Sequence, residues 1–395
     1  MTQKRAPSTR KKAIDSEKER FVVLDSWRGL CALLVALYHV PVTSFVFLNP
    51  LVRGSYLFVD FFFVLSGFVI SFAYEGRIRD GATAAEFLVK RVGRLWPVHV
   101  VTLLAMLLLT AAVSWARHVF GRSPFVEAPA SAERLIANVL LLNGFGVPGL
   151  TSINVPSWSI SCELMVYTLF CVLLFFGRRA IALWVGIAIL SAALIAKYSP
   201  LYMNATDVLG LARCAYGFGL GVAAKVLYLK YGRYLFSNTA IEAAAVVLAL
   251  CFVAFTYESP WSLLAPLVFF VVVLVFSLEA GGVSSLLNRP FFRLLGKLSF
   301  TIYMCHYIAV AGIYQLALSL RLVDFSSPSP FFGGHVPAID VGGHLSGAAV
   351  ALGYLAIVVL SAWALHLAVE EPFRKRAYAM AKQLRLRLQG AALAR

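Results

Sequence analysis

Three residues that can ionise, Asp25, Arg28 and His39, share one face of the first long apolar stretch, LDSWRGLCALLVALYHV. Arg28 and His39 are eleven positions apart, so on a helix they lie within about 20° of the same azimuth and about 16 Å apart along the axis. Ionisable residues inside an apolar span are costly and usually functional. The spacing therefore predicts an ionic group near one membrane surface and, on the same face, a titratable imidazole near the midplane.

A pair of arginines, Arg91 and Arg94, follows in the segment EFLVKRVGRLW. Thr83 and Glu86 have the spacing of a capping box, which predicts a helix that runs up to Pro97. Arg91 and Arg94 would then lie one turn apart at the cytoplasmic face. Two such guanidiniums can each hold a phosphate through two hydrogen bonds, as a nucleotide or coenzyme diphosphate requires. The alternative is a positively charged anchor without a ligand.

Two further polar patterns lie inside apolar segments. Glu163, in PSWSISCELMVY, shares a helix face with Ser159 four residues earlier. A carboxylate at this depth needs a partner, so we predict a functional role or a structural hydrogen bond for it. In LLGKLSFTIYMCHY, Ser299, Tyr303 and His306 form one polar stripe on an apolar helix. This second stripe marks a candidate site, although a lone histidine is also a common core residue.

Arg213, in LGLARCAYGFGLG, is the other intramembrane charge. Its candidate partners are Asp60 and Glu163, and pairing would make it a structural residue. Gly67 lies about 20° from Asp60 around the helix, which would allow a neighbouring helix to approach closely. Glu370, in VEEPFRKR, is predicted to cap the end of the last span against a cytoplasmic arginine.

The composition is that of a polytopic membrane protein, with 60% hydrophobic and 14% charged residues and a mean hydropathy of +0.81 over 395 residues. We predict an all-α membrane protein with ten transmembrane helices. The predicted spans are residues 28–48, 56–76, 95–114, 156–177, 180–197, 207–229, 239–257, 261–279, 298–320 and 346–369.

Lysine and arginine follow the positive-inside rule if both termini are cytoplasmic. Five of them would lie on the opposite side: Arg53, Arg117, Arg122, Arg134 and Arg321. The net charge of +16 is then explained by orientation and by attraction to anionic membrane lipid, and not by nucleic-acid binding, since no basic patch interleaved with aromatics accompanies it. The predicted organisation is a basic cytoplasmic tail (1–23), a membrane domain (24–376) and a second basic cytoplasmic tail (377–395).

The six cysteines all lie inside predicted spans, where cysteine behaves as a small apolar residue. Their spacing matches no metal-binding motif, so we expect neither disulfides nor a metal.

Two segments on the predicted outer side are long enough to cover a cleft. In residues 115–155 the amphipathic stretch SAERLIANVLLLNGF is too short to cross, so it would lie at the interface or re-enter the membrane. Residues 321–345, rich in proline and glycine, are predicted to be an irregular loop. Each could equally be a plain connector.

Six motifs occur in one order along residues 24–376: LDSWRGLCALLVALYH, VDFFFVLSGFVIS, RVGR, PSWSISCELMVY, LGKLSFTIYMCH and VEEPF. Together they resemble the acyltransferase 3 family of integral membrane O-acyltransferases, which modify bacterial surface polysaccharides and some secreted sugars or antibiotics. Arg28 and His39 have the family's spacing of arginine, ten residues and histidine. Cys305 replaces a usual aromatic residue, and Trp27 and Cys31 vary the first motif. The SGNH hydrolase-like domain fused to some relatives is not expected.

The resemblance implies a donor and roles for the site residues. The donor would be a cytoplasmic acyl coenzyme A, most often acetyl coenzyme A, whose phosphates Arg91, Arg94 and Arg28 would hold. Its thioester would reach His39, which would act as general base or would itself accept the acyl group. Glu163 would orient a group or take up a proton, and Arg28 would pair with Asp25 or with the donor.

The resemblance also implies an acceptor and a location. The acceptor would be a hydroxyl of a sugar or glycan at or beyond the outer face of a bacterial inner (cytoplasmic) membrane, with delivery by a separate extracytoplasmic partner as one option. Without the resemblance, a polytopic secondary transporter or flippase is an alternative, because intramembrane charges and glycine-broken helices are ordinary in transporters. Matching broken helices in the two halves of the chain, which would support a transporter, are not apparent.

Overall fold

The computed structural model describes residues 21–120, 130–177, 179–206, 208–232, 235–331 and 334–393, and these residues are predominantly helical. The helices are α1 (Val22–Tyr38), α2 (Phe45–Leu48), α3 (Pro50–Arg53), α4 (Phe58–Tyr74), α5 (Gly81–Phe120), α6 (Ala132–Val139), α7 (Ser157–Leu174), α8 (Arg179–Tyr198), α9 (Gly210–Tyr231), α10 (Thr239–Thr256), α11 (Ala265–Phe276), α12 (Gly282–Leu287), α13 (Pro290–Ser319), α14 (His344–Leu365) and α15 (Glu371–Leu393). Short 3₁₀ turns precede α4 and α11, at Ser55–Leu57 and Pro260–Leu264. A π-helical segment, His366–Glu370, joins α14 to α15. The residues before 21, including most of the predicted basic tail, lie outside this description.

Seven of the described helical segments are long and apolar enough to cross a membrane, which makes the chain a multi-pass membrane protein. They are Ser55–Tyr74, Gly81–Trp115, Ser157–Leu174, Arg179–Tyr198, Thr239–Thr256, Pro290–Ser319 and His344–Gly390. The other three predicted spans coincide with α1, α9 and α11. The helix α1 has 17 residues, α11 has 12, and α9 carries Arg213 and Lys225. The count of ten crossings and the cytoplasmic termini therefore stay predictions.

Glycines bring two pairs of helices into close contact. In α9, Gly217 and Gly221 form a small-xxx-small pair that faces α4. A Cβ added at Gly221 would lie 2.0 Å from the Val64 carbonyl oxygen, and one at Gly67 would lie 2.1 Å from the Phe218 carbonyl oxygen. The predicted close approach at Gly67 is therefore confirmed, because any larger residue there would force the two backbones apart.

The second close pair, α1 and α13, aligns the two polar stripes. An added Cβ at Gly29 would lie 2.4 Å from the backbone of Leu295, and one at Gly296 would lie 2.4 Å from the Asp25 carbonyl oxygen. The helices run in the same direction, since further along them the rings of His39 and His306 come within 4.7 Å. The glycine contact thus sets the axial register of the two histidines.

The first helix ends earlier than predicted. It stops at Tyr38, and His39 is its C-cap residue, whereas the sequence predicted a span up to residue 48. Pro41 interrupts the helical hydrogen-bond pattern here. The following segment is irregular, and the hairpin of residues 323–339 satisfies part of its backbone: Thr43 N–H donates to the Ile339 carbonyl at 2.9 Å and Ile339 N–H donates to the Pro41 carbonyl at 2.7 Å. Irregular backbone among membrane helices persists only where protein groups bind it in this way.

The segment that contains Ile339 is also more ordered than predicted. It forms an antiparallel hairpin of β1 (Val323–Phe331) and β2 (Gly334–Ile339) in place of an irregular loop. Cross-strand backbone pairing and the attachment to residues 41–43 supply the order that the proline-rich sequence did not indicate.

The helix that carries Arg91 and Arg94 is longer than predicted. It begins at Gly81 and continues through Pro97, where a boundary was expected. Asp80 caps it, because its carboxylate accepts the Thr83 backbone N–H at 2.8 Å. Glu86 does not complete a capping box; it binds Lys90 at 2.7 Å. Proline inside a helix is tolerated more often in membrane helices than in soluble ones.

The short helix α6 lies back along α5. His99 is 2.7 Å from the Asn138 carbonyl oxygen, and the Trp96 indole N–H donates to the Val139 carbonyl at 2.8 Å. His99 is about 30 Å along the helix axis from Phe120, where α5 ends. The position of α6 beside the middle of α5 favours the prediction that the amphipathic stretch SAERLIANVLLLNGF re-enters the membrane over the prediction that it lies at the interface.

Candidate active site

A cavity of about 420 Å³ lies among α1, α4, α5, α7, α13 and the π-helical segment. Its polar lining is unusual for the middle of a helix bundle, since it combines basic, acidic and hydroxyl side chains. These residues are Asp25, Arg28, Ser66, Arg91, Arg94, Ser159, Glu163, Tyr167, Lys297, Ser299, Tyr303, His366, Glu370, Glu371 and Arg374.

Two arginines of the cavity, Arg28 and Arg94, are held by loose ion pairs. Arg28 contacts Asp25 at 3.3 Å with both side chains partly exposed, and Arg94 lies 3.9 Å from Glu370, whereas Arg374 forms a tight pair with Glu371 at 2.6 Å. An arginine in a loose pair keeps free N–H donors. Arg28 and Arg94 can therefore bind an anionic group without losing a well-formed salt bridge.

Arg91 is positioned by aromatic rings. Its guanidinium lies 5.1 Å from the centre of the Tyr74 ring, 5.4 Å from that of Phe87 and 5.8 Å from that of Tyr167. Cation–π contacts fix the charge without satisfying the N–H groups, and Tyr74 also interacts with the guanidinium through its hydroxyl. Nε of Arg91 is buried and has no hydrogen-bond partner among the described residues.

Glu163 forms a cluster with two residues that the sequence did not single out. Ser66 donates to its carboxylate at 2.6 Å, and the Tyr167 hydroxyl donates to the same oxygen. Tyr167 is four residues after Glu163, a helical spacing that sequence reasoning could have used. Ser66 comes from α4, so only the tertiary structure reveals it.

A polar path leads from the cavity wall to the two histidines. Ser159 donates to the Tyr303 hydroxyl at 2.9 Å, and the Tyr303 ring lies 5.7 Å from that of His306, which in turn contacts His39. Among the described residues, Tyr303 lines the cavity and His39 does not. Tyr303 thus lies between the cavity and the histidine pair. Glu163 interacts with Ser66 and Tyr167.

The two histidines share one hydrogen-bonding arrangement. Nδ1 of His39 lies 2.7 Å from the Val35 carbonyl, and Nδ1 of His306 lies 2.6 Å from the Tyr303 carbonyl. A carbonyl only accepts, so each neutral ring carries its proton on Nδ1 and has a basic Nε2. The Tyr354 hydroxyl donates to the carbonyls of Ala36 and His306 and ties the two helices together here.

A histidine–carboxylate pair was missed in the sequence. His366 Nδ1 lies 2.7 Å from the Glu370 carboxylate, both side chains are 4% exposed, and His366 Nε2 has no partner among the described residues. Glu370 therefore binds His366 and approaches Arg94. The sequence predicted only that Glu370 would cap the end of the last span against an arginine. The spacing of four residues was visible in the sequence, but the π-helical turn was not.

Arg213 and Asp60 lie elsewhere, at the contact between α4 and α9. Two hydrogen bonds of 2.9 and 2.8 Å join their side chains, and Arg213 also donates to the Tyr56 carbonyl at 2.8 Å. Both side chains are almost completely buried. Of the two predicted partners the structure selects Asp60, and the pair is structural.

The fold and this cavity define a multi-pass helical membrane protein with a polar intramembrane site. The family model of the acyltransferase 3 acyltransferase domain matches residues 21–367. The chain therefore belongs to the acyltransferase 3 family and is an acyltransferase.

Three curated relatives are similar to the chain. Protein 2 in the picA locus of Rhizobium radiobacter is 32% identical over 38% of this chain and 81% of its own length. Acyltransferase MdmB of Streptomyces mycarofaciens is 23% identical over 89% of this chain and 92% of its own. Exopolysaccharide production protein ExoZ of Rhizobium meliloti is 26% identical over 67% and 79%, respectively. No solved structure matches the chain significantly.

Proposed function

We propose that this acyltransferase moves an acyl group, most simply acetyl, from cytoplasmic acyl coenzyme A to a hydroxyl of a sugar or glycan at or beyond the outer face of a bacterial inner membrane. The observation that carries the proposal is the polarity of the cavity. Its arginines lie at one end, and the pair of histidines, His39 and His306, lies beyond Tyr303 at the other.

Arg28, Arg91 and Arg94 are the proposed ligands of the donor diphosphate. A diphosphate is a stronger acceptor than the partners of Arg91 and Arg94, because the aromatic rings around Arg91 carry no full charge and Arg94 is 3.9 Å from Glu370. The phosphates need not enter the apolar core, since the flexible pantetheine arm can extend along the cavity. The separation of about 16 Å between Arg28 and His39 along the helix axis is similar to the length of an extended pantetheine arm.

His39 is the proposed base. Its Nε2 takes the proton of the acceptor hydroxyl while the oxygen attacks the thioester carbonyl carbon; the carbon–sulfur bond then breaks and coenzyme A leaves as the thiol after receiving a proton. A ping-pong route, in which His39 first carries the acyl group, uses the same residues. In either route Tyr303 and Ser159 line the passage that the acyl group must take. Glu163, held by Ser66 and Tyr167, would orient the pantetheine arm or take up a proton.

The proposed acceptor class agrees with the relatives' names in one respect: one of them is an exopolysaccharide production protein. The inner-membrane location agrees with the seven long apolar helices. Acyl transfer onward by a separate extracytoplasmic partner is compatible with this arrangement.

The direct test uses purified full-length protein in detergent with acetyl coenzyme A and a panel of saccharide acceptors. We expect acceptor-dependent release of free thiol and acetylated product detected by mass spectrometry. Absence of thiol release with every acceptor would contradict the proposed donor.

Radiolabelled donor without acceptor separates the two routes. Protein-bound label that is lost in the His39→Ala variant supports an acyl-histidine, and unlabelled but active protein supports direct transfer.

A further inference from the structure

A second cavity, of about 650 Å³, lies on the far side of Arg91 from the first. It is formed by the end of α4, the loop that follows, the first turns of α5 and one face of α15. Its polar and aromatic lining includes Tyr74, Arg77, Arg79, Lys90, Tyr378 and Arg385. Cavities of this size accommodate small-molecule ligands.

The cavity is strongly basic. Four cationic side chains line it against the single carboxylate of Glu86, which both Lys90 and Arg385 already contact at 2.7 and 3.0 Å. Arg77 and Arg79 form the exposed rim. Nε of Arg385 is buried and has no hydrogen-bond partner among the described residues. The cavity thus offers more positive charge and more donors than the protein itself uses.

Asp80 is a further carboxylate close to this cavity, although it does not line it. Asp80 accepts the backbone N–H and the hydroxyl of Thr83. These two hydrogen bonds hold the pKa of Asp80 below its usual range. Its charge stabilises the start of α5 first and attracts Arg385 to a smaller extent.

The two cavities share a wall. Tyr74 and Phe87 line the second cavity, and the Arg91 guanidinium, which lines the first, lies over both rings at 5.1 and 5.4 Å. Lys90 is only about 6 Å along α5 from Arg94. A ligand whose diphosphate binds Arg91 and Arg94 would therefore place its next groups at the second cavity.

We propose that this second cavity binds the 3′-phosphoadenosine end of coenzyme A. The proposal deepens the proposed function and rests on it, because it assigns the other end of the same donor. A phosphate monoester matches the forked donors of Arg77, Arg79 and Arg385. The adenine ring can stack on the Tyr74 or Tyr378 ring.

The test compares two donors, acetyl coenzyme A and acetyl 3′-dephospho-coenzyme A, by thiol release from full-length protein in nanodiscs. For the wild-type protein we expect the KM of the dephospho donor to be about tenfold higher, the effect of losing one good charged contact. In the double variant Arg77→Gln/Arg79→Gln, the KM of acetyl coenzyme A should rise to that of the dephospho donor. The KM of the dephospho donor and both kcat values should stay unchanged.

The matched control is Arg293→Gln, which changes an exposed arginine near the start of α13 that lines neither cavity. It should preserve the difference between the donors. Equal KM values for the two donors in the wild-type protein would overturn the subsite but leave the proposed function standing. Absence of thiol release from both donors would instead refute the proposed function.

An anionic lipid headgroup presents the same phosphate chemistry, so the assay is run in nanodiscs with and without phosphatidylglycerol. If the double variant loses co-purified phosphatidylglycerol and keeps the wild-type KM for both donors, the cavity holds a lipid phosphate and the proposal is overturned. A donor difference that persists in both membranes supports the coenzyme site.

Discussion

Arg213 and Arg94 both belong to membrane helices and both have a carboxylate partner, yet the two sites differ in how fully their hydrogen bonds are satisfied. Arg213 is almost wholly buried and donates to Asp60 and to the Tyr56 carbonyl. Arg94 is 33% exposed and lies 3.9 Å from Glu370, which is shared with His366. A fully satisfied buried ion pair holds helices together, whereas an incompletely satisfied pair beside a cavity can exchange its partner for a ligand.

The largest effect is expected at His39. The His39→Ala variant should lose acyl transfer by about a thousandfold, because it lacks the proposed base, while its thermal stability in detergent stays close to wild type. His344→Ala, which changes an exposed histidine at the start of α14, serves as the control and should keep its activity. Full thiol release from His39→Ala would remove the histidine pair from the mechanism.

The Arg213→Ala variant should instead lose stability. Removal of one partner leaves the Asp60 carboxylate buried without a counter-charge, at a cost of about 3–5 kcal/mol, which thermal unfolding in detergent would detect as a lower Tm. Replacing both residues with apolar side chains of similar volume should recover much of that loss. If Arg213→Ala keeps the wild-type Tm but has no activity, Arg213 is a functional residue and does not differ from Arg94 in the way proposed here.

A smaller and different change is expected for Arg94→Gln. In the wild-type protein Arg94 lies 3.9 Å from Glu370, which makes a weak ion pair, so we expect the Tm to change little. The KM for acetyl coenzyme A should rise about tenfold because a phosphate contact is lost. Initial rates over a range of donor concentrations measure this. A fall in kcat at unchanged KM would contradict a role in donor binding.

The smallest effect is expected for Arg28→Gln. The Arg28–Asp25 pair is single and partly exposed, and such pairs contribute about 0–1 kcal/mol, so stability should stay near wild type. The KM for the donor should rise a few-fold because Arg28 lies at the donor end of the cavity. An unchanged KM would limit the phosphate site to Arg91 and Arg94.

Helical periodicity was sufficient to place residues on one face. It grouped Ser299 and Tyr303, which both line the cavity, and it identified Gly67 as a close-contact position. Residues of one helix keep a fixed angular relation whatever surrounds them, so such predictions hold without knowledge of the fold.

Contacts between helices were not predictable in the same way. Ser66 binds Glu163 across 97 positions of sequence, and the attachment of Ile339 to Pro41 and Thr43 satisfies the backbone that follows α1 and orders the hairpin. Single-sequence signals describe local preference, which tertiary packing overrides where neighbours satisfy the backbone.

The sequence by itself determined that this is a multi-pass membrane acyltransferase of one family, because apolar length and motif order are local properties of the chain. It also identified the arginines and histidines as candidates. Only the tertiary structure decided that Asp60 neutralises Arg213, that Glu163 lies with Ser66 and Tyr167, and that Tyr303 lies between the cavity and the histidines. The physical reason is that a buried polar group is defined by its partners, and those partners come from helices that are distant in sequence.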